Sequence, residues 1–260
     1  MSEKYPPITL PRSEVRVLHS AHVGQDYRLL ITLPEEYEES EESFPVLYVT
    51  DANFWYEIVL GLTEWTTRIP PMIVVGVSYP EADKPNFGRF RARDFLPTEN
   101  NETAVGSGGG GRFLSFFREE LFPFVDSEYR TKADDRTGFF FSFGGTFGVY
   151  TLLTQTDTFK RYILGAPDLS WDNEVCFDYE REYAEKFSDL TARLFLSVGT
   201  LDEDFVERNA SSLLRFHALL LSRDYGGLKM KLDMLDGETH ISALIPTVFN
   251  GLRAVFSDAE

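Results

Sequence analysis

The sequence predicts an α/β fold in which a mainly parallel sheet is covered by helices on both faces. Three observations point to it. Continuous apolar runs of strand length, such as Phe44-Pro45-Val46-Leu47-Tyr48-Val49-Thr50, are what a strand buried on both faces requires. Segments with helical spacing alternate with such runs over most of the chain, the pattern of a doubly covered parallel sheet. The chain has 260 residues, 43% of them apolar, which is enough for one large domain with a sizeable core.

Val15–Val23 and Tyr27–Leu33 alternate well enough to read as two strands turning near Gly24, an antiparallel edge to the sheet. Phe44–Thr50 is a buried parallel strand. Phe54–Arg68 has helical spacing and stops at Pro70-Pro71, where a helix cannot continue. Met72–Val77 is another buried strand. Ser78 to Gly111 reads as irregular, with Pro80, Pro85, Pro97 and the run Gly106-Ser107-Gly108-Gly109-Gly110-Gly111. A loop this long inside a domain is usually functional or disordered, so 78–111 is a candidate lid, or equally an inert connector. Arg112–Tyr129 is a helix with Phe113, Phe116, Phe117, Leu121 and Phe124 on its inner side. Strand and helix then alternate: Asp135–Phe141, Phe143–Gln155, Arg161–Ala166, Phe177–Lys186, Arg193–Val198, Asn209–Arg223, Lys229–Leu235 and His240–Phe256. No internal repeat divides the chain, and residues 1–260 read as one domain.

The formal net charge is −17 and the pI about 4.7. That field repels nucleic-acid phosphates and anionic lipid, so neither nucleic acid nor a membrane is expected as a partner. The acidic stretch from Glu35 to Glu42 reads as a solvated loop. Cys176 is the one cysteine. It excludes an intramolecular disulfide and any four-cysteine metal site, and Val175 and Phe177 beside it suggest a buried or half-buried thiol rather than a nucleophile. Met1 to Pro7 is polar with no apolar stretch, and no run reaches membrane-spanning length, so a cytoplasmic location is expected.

In parallel sheets ligands bind at the carboxyl ends of the strands. That rule selects Asp51–Phe54, Ser142, Asp168, Asp202 and His240. Ser142 lies in Phe139-Phe140-Phe141-Ser142-Phe143-Gly144-Gly145, between a strand and a pair of glycines. A sharp strand-to-helix turn there exposes the hydroxyl above the sheet edge and aims the next N–H at a reacting carbonyl. The pattern differs from G-x-S-x-G in having Phe140 at the first glycine position; the alternative is a buried strand running into a glycine-containing helix start. A serine nucleophile needs a base, and the base needs an acid, in the chain order serine, acid, histidine. His19 and His22 lie upstream, and His217 sits inside an amphipathic helix. His240 follows the last strand and is the candidate base. The acid should follow Arg193–Val198, where Gly199-Thr200-Leu201-Asp202-Glu203-Asp204 offers three carboxylates. Asp202 is the first choice, Glu203 and Asp204 remain open, and all three could instead cap the next segment. The oxyanion needs donors: the N–H of Phe143, and that of Ala52 or Asn53 after the first parallel strand.

These residues resemble the putative esterase family of α/β hydrolases, which takes in enterochelin-type siderophore esterases, feruloyl and acetyl xylan esterases and S-formylglutathione hydrolase. The matching segments run from about Val15 to Phe256. They are Phe44 to Asn53, Arg91-Ala92-Arg93-Asp94-Phe95-Leu96-Pro97-Thr98, Phe113-Leu114 with Glu120 to Phe124, Asp135-Arg136-Thr137, Ser142 to Gly145, Gly199 to Asp202 and Gly237-Glu238-Thr239-His240. The resemblance implies an α/β-hydrolase fold, Ser142 as nucleophile, His240 as base and an acid at Asp202, where many relatives carry Glu. It differs at Phe140-Phe141, where relatives have Gly then His or Tyr, and at Ala166-Pro167, where many have Ser-Pro.

The expected reaction is two-step acyl transfer on a small-molecule ester, with no metal and no organic cofactor. Phe54, Trp55, Phe87, Phe90, Phe141, Phe143 and Trp171 are candidate pocket aromatics, of which about half should touch substrate and the rest be core. Arg91 and Arg93 could bind an anionic substrate group or be held in salt bridges. Two other readings are a siderophore trilactone esterase and a binding protein that keeps the fold without catalysis.

Overall fold

The structure is a computed structural model that describes residues 9–201 and 206–257. Among the described residues eight strands form one sheet: β1 (Ser13–Ser20), β2 (Gln25–Thr32), β3 (Phe44–Val49), β4 (Ile73–Ser78), β5 (Thr131–Phe141), β6 (Arg161–Gly165), β7 (Ala192–Gly199) and β8 (Leu228–Leu235). Their order across the sheet is β1-β2-β4-β3-β5-β6-β7-β8. β1 pairs antiparallel with β2, and β2 antiparallel with β4. From β4 to β8 every pairing is parallel. The expected architecture, a mostly parallel sheet with an antiparallel N-terminal edge, is the one observed.

Every residue of β3 and β4 is buried, as their unbroken apolar runs require. The edge strands differ. β1 is largely exposed, and β8 carries Lys229, Lys231 and Asp233 among half-buried positions, charges that discourage pairing with another chain.

The helices are α1 (Ala52–Trp65), α2 (Phe87–Phe95), α3 (Gly110–Ser115), α4 (Phe122–Glu128), α5 (Phe143–Thr154), α6 (Trp171–Lys186), α7 (Val206–Ser222) and α8 (Leu244–Phe256). Neighbouring residues of β6 show why both faces are covered. Successive strand side chains point to opposite sides. Ile163 packs beneath Gly251 of α8, whereas Leu164 packs beneath Gly148 of α5. α1 lies beside α8. α6 lies beside α5, and Phe177 of α6 meets Phe216 of α7 edge-on at 5.4 Å.

β1 ends at Ser20 rather than Val23, α1 at Trp65 rather than Arg68, and β5 begins at Thr131 rather than Asp135; four other elements are also corrected. The stretch read as irregular from Ser78 to Gly111 contains a 3-10 segment at Glu81–Asn86 and the nine-residue α2. Its helical period is hidden because the buried side includes Asp94 and the largely buried Arg91 as well as Phe87 and Phe95. The helix expected at 112–129 starts at Gly110 and passes through a π-helical segment at Phe116–Leu121. α6 begins six residues earlier than expected, with left-handed backbone at Asp172, Asn173 and Glu174, which breaks the helical pattern there. α8 begins at Leu244, so His240 stands in the preceding turn. That turn is closed by Ala243 N–H donating to Thr239 O at 3.0 Å. No helix among the described residues is long and apolar enough to cross a membrane.

Candidate active site

Three neighbouring strands, β3, β5 and β6, end in non-glycine residues with left-handed backbone: Asp51 (φ 56°), Ser142 (φ 60°) and Ala166 (φ 42°). Such residues are uncommon and cost about 1–3 kcal/mol each unless their surroundings hold them. Here they cluster at the carboxyl edge of the sheet, where the sequence places its candidates.

Ser142 has φ 60° and ψ −125° and precedes the first residue of α5. Its N–H donates to Gly165 O at 2.9 Å, which fastens the elbow to β6. Gly145 allows the tight passage, because a Cβ there would lie 2.9 Å from Pro167 Cα. The first bond inside α5 runs from Thr146 N–H to Ser142 O at 3.2 Å. The amides of Phe143, Gly144 and Gly145 therefore have no carbonyl partner within the helix, as at any helix N-terminus.

Phe140, the departure from the glycine pattern, is accommodated by glycines elsewhere. Its ring is fully buried. It lies over Gly138, where a Cβ would stand 2.7 Å from Phe140 Cζ, and against Gly148, where a Cβ would stand 3.1 Å from Cδ2. Phe147 and Phe159 meet it edge-on at 5.7 and 5.5 Å. The missing Cβ atoms at 138 and 148 thus provide the volume that the ring fills.

His240 packs on Phe141, ring to ring at 5.2 Å. Phe141 immediately precedes Ser142 in the chain. The His240 turn is also stitched to the end of β7: Thr200 N–H donates to Leu235 O at 3.0 Å and Leu201 N–H to Glu238 O at 2.8 Å. Gly199 permits the approach, since a Cβ there would lie 2.8 Å from the Glu238 carbonyl carbon. Asp202, Glu203 and Asp204 fall outside the described residues; the chain entering them, Gly199 to Leu201, is bonded to the loop that carries His240. His19 pairs with Asp26 and His22 with Glu119. His217 lies in α7, its pKa lowered by burial. Asp168 uses its carboxylate locally, accepting from Ser170 N–H at 3.1 Å and Ser170 Oγ at 2.7 Å.

The turn from β3 into α1 is held on several sides. Asn53 binds the Tyr79 backbone in both directions, its Nδ2 donating to Tyr79 O at 2.8 Å and its Oδ1 accepting from Tyr79 N–H at 2.7 Å. Trp55 Nε1 donates to Thr50 O at 3.0 Å. Phe54 N–H donates to Asp51 O at 2.9 Å, leaving the amides of Ala52 and Asn53 at the open start of the helix.

The candidate aromatics divide between surface and core. Phe54 is 52% exposed, and Trp55, Phe90 and Phe143 are half-buried. Phe87, Phe141 and Trp171 are buried. Phe87 and Phe141 belong to the main core and Trp171 to a smaller cluster with Ala92 and Leu96: Phe87 packs on Tyr79, Phe141 on Trp55, and Trp171 on Phe143 while donating from Nε1 to Thr98 Oγ1. Of the two readings of Arg91 and Arg93, the structure realises the salt bridges. Arg91 grips Asp51 with two bonds. Arg93 grips its neighbour Asp94 and reaches Gln25. Asp94 also accepts from Tyr27 and Tyr79 hydroxyls at 2.7 and 3.0 Å, an assembly that sequence reasoning missed because its members lie on three separate elements. Burial raises the Asp94 pKa, opposed by Arg93 and the two tyrosines. A cleft of about 600 Å³ lined by Arg118, Phe122, Arg136 and Tyr150 lies away from Ser142. Its charged walls pair with one another, Arg118 with Asp157 and Arg136 with Asp126. No metal-holding cluster is present among the described residues.

Residues 20–219 match the family model described as Putative esterase. The chain belongs to this family. It is 27% identical to the ferri-bacillibactin esterase BesA of Bacillus subtilis, over 94% of this chain and 90% of that protein. It is 28% identical to the siderophore triacetylfusarinine C esterase of Aspergillus fumigatus, over 96% and 90%. The crystal structure of a BES protein from Bacillus cereus superposes with a TM-score of 0.86 at 24% identity, covering 98% of each chain; that likeness concerns the fold. The protein is an ester hydrolase with an α/β-hydrolase fold.

Proposed function

We propose that Ser142, His240 and a carboxylate from the loop after β7, Asp202 in first place, cleave a small-molecule carboxylic ester through an acyl-enzyme. The observation that carries this reading is the strained serine, φ 60° and ψ −125°, standing between β5 and the open N-terminus of α5 with the His240 ring packed on the residue before it. Neutral His240 takes the Ser142 proton as Oγ attacks the ester carbonyl carbon. The oxyanion is received by the N–H of Phe143 and that of Ala52 or Asn53. The imidazolium returns the proton to the leaving alcohol as the C–O bond breaks. Water, deprotonated by the same imidazole, then attacks the acyl-enzyme and releases the acid and Ser142. Each step uses side chains, amides and water. The candidate aromatics that are not fully buried, Phe54, Trp55, Phe90 and Phe143, are the proposed substrate contacts.

A second reading narrows the substrate to siderophore esters. It is favoured by the two curated relatives, both named for siderophore ester cleavage. Labelling with a fluorophosphonate, in the wild type and in Ser142→Ala, tests the mechanism. Label on wild-type Ser142 and none on the folded variant is the expected result; a folded wild type that takes no label overturns it. Comparing kcat/KM for p-nitrophenyl butyrate and for a catecholate trilactone then separates the two substrate classes.

A further inference from the structure

We propose that Arg91 is a positioning residue that holds both oxyanion donors in place from outside the pocket. The inference rests on the catalytic reading of Ser142 given above. Asp51, the residue before Ala52, has left-handed backbone and a side chain with 0% exposure. Its two carboxylate oxygens are taken by one guanidinium, Arg91 Nε to Oδ1 at 2.7 Å and Nη2 to Oδ2 at 2.9 Å. A planar fork gripping both oxygens fixes the orientation of the carboxylate as well as its distance. The backbone that bears this carboxylate delivers the next amides, those of Ala52 and Asn53.

The same guanidinium carbon lies 5.8 Å from the centre of the Phe143 ring and 5.7 Å from that of Phe95. Phe143 supplies the other donor. One cation from α2 therefore touches the residue preceding the first donor and the side chain of the second. The two donor segments come from different strands, β3 and β5, and Arg91 bridges them. A free carboxylate at 51 would be expensive to bury: burial raises the Asp51 pKa, and Arg91 is the main influence opposing that rise. Loss of Arg91 removes the ion pair that helps the Asp51 turn keep its left-handed form, leaving the Asn53 and Trp55 bonds to hold it. Tied up in this way, Arg91 is not an anion-binding group for substrate.

The test compares wild type with Arg91→Met, Arg91→Lys and the double variant Asp51→Asn/Arg91→Met, on p-nitrophenyl butyrate and against a trifluoromethyl ketone that forms a tetrahedral oxyanion. The double variant strands no buried charge and replaces the single one should Arg91→Met fail to fold by thermal melting. Arg91→Met should lower kcat about 10- to 100-fold, less than or equal to deletion of a donor, with KM unchanged, and weaken the ketone by the same factor. Lysine, which cannot grip both oxygens, should recover part of the loss. The double variant should lose no more than Arg91→Met, since the pair acts as a unit. A raised KM with kcat intact, larger for anionic esters, would make Arg91 a substrate ligand and overturn the proposal. Full kcat in Arg91→Met, with wild type labelled at Ser142, overturns this proposal alone. A wild type that takes no fluorophosphonate overturns the Ser142 reading and this one with it.

Discussion

Replacing Phe140 and Gly138 singly and together tests how the elbow strand tolerates an aromatic residue where a glycine is usual. Phe140→Ala removes a fully buried ring that packs on Phe147 and Phe159. A change of this kind costs about 3–5 kcal/mol, which in a domain of this size lowers the melting temperature by roughly 6–20 °C. Gly138→Ala introduces a Cβ 2.7 Å from Phe140 Cζ, well inside van der Waals contact, in a strand buried at that position. Overpacking costs about 1–3 kcal/mol. In the double variant the new methyl enters space the ring has left, so the two costs should not add. The double should be more stable than the sum of the singles predicts by at least about 1 kcal/mol, or roughly 2–4 °C. Thermal melts followed by circular dichroism, with fluorophosphonate labelling at each step, provide the readings. Strict additivity, or a neutral Gly138→Ala, would show that the ring does not depend on the missing Cβ and would refute the packing argument.

Alkaline pH should destabilise the fold in a specific way. Burial raises the pKa of Tyr27, Tyr48, Tyr56, Tyr79 and Tyr162 above the ordinary phenol value. A group whose folded pKa exceeds its unfolded one contributes stability that is complete below the unfolded pKa and is lost as pH rises beyond it. Phenolate absorbance should therefore rise in two steps above about pH 10, the second coinciding with loss of ellipticity; one complete step with ellipticity intact would contradict this. Cys176 is buried and its thiol pushed up to about 12 by burial, so the native enzyme should resist iodoacetamide and unreacted thiol should appear only in denaturant. His240→Ala should lower kcat by several orders of magnitude, since the nucleophile then has no base, while leaving the melting temperature within a few degrees. Retained turnover would remove His240 from the mechanism.

The candidate site residues legible in the sequence are those announced by local chemistry. Ser142 stands between an apolar strand and two glycines, and His240 follows the last strand of an alternating series; both signals lie within a few residues. The buried strands β3 and β4 were readable for the same reason, since burial on both faces leaves no polar position. α2 was not. Its inner side includes Arg91 and Asp94, whose burial is made tolerable by Arg93 next to Asp94 and by Asp51, Tyr27 and Tyr79, between 15 and 67 residues away. An apolar-period search scores such residues as solvent-facing, so the helix disappears into its neighbouring prolines and glycines. Phe140 was obscure in the converse sense: its ring requires volume released by Gly148, ten residues beyond Gly138, and only folding brings the two glycines to one ring.

The left-handed residues Asp51, Ser142 and Ala166 link these two kinds of information. Each conformation is unfavourable for its residue type, and adjacent strands hold all three in the order β3, β5, β6. Local bonds to Asp51 O and Ser142 O are joined by non-local ones: Arg91 on the Asp51 carboxylate, Gly165 O on the Ser142 amide, and Ser197 O on the Ala166 amide at 2.7 Å. Strain at one strand end is thus opposed by a bond from the next strand or from α2. A reaction that depends on amides aimed at a transient charge needs donors that do not relax toward the ground-state carbonyl. A sheet edge whose turns are each held by a neighbour meets that need more securely than a turn held by its own residues, because no single torsion can relax without breaking a bond in another element.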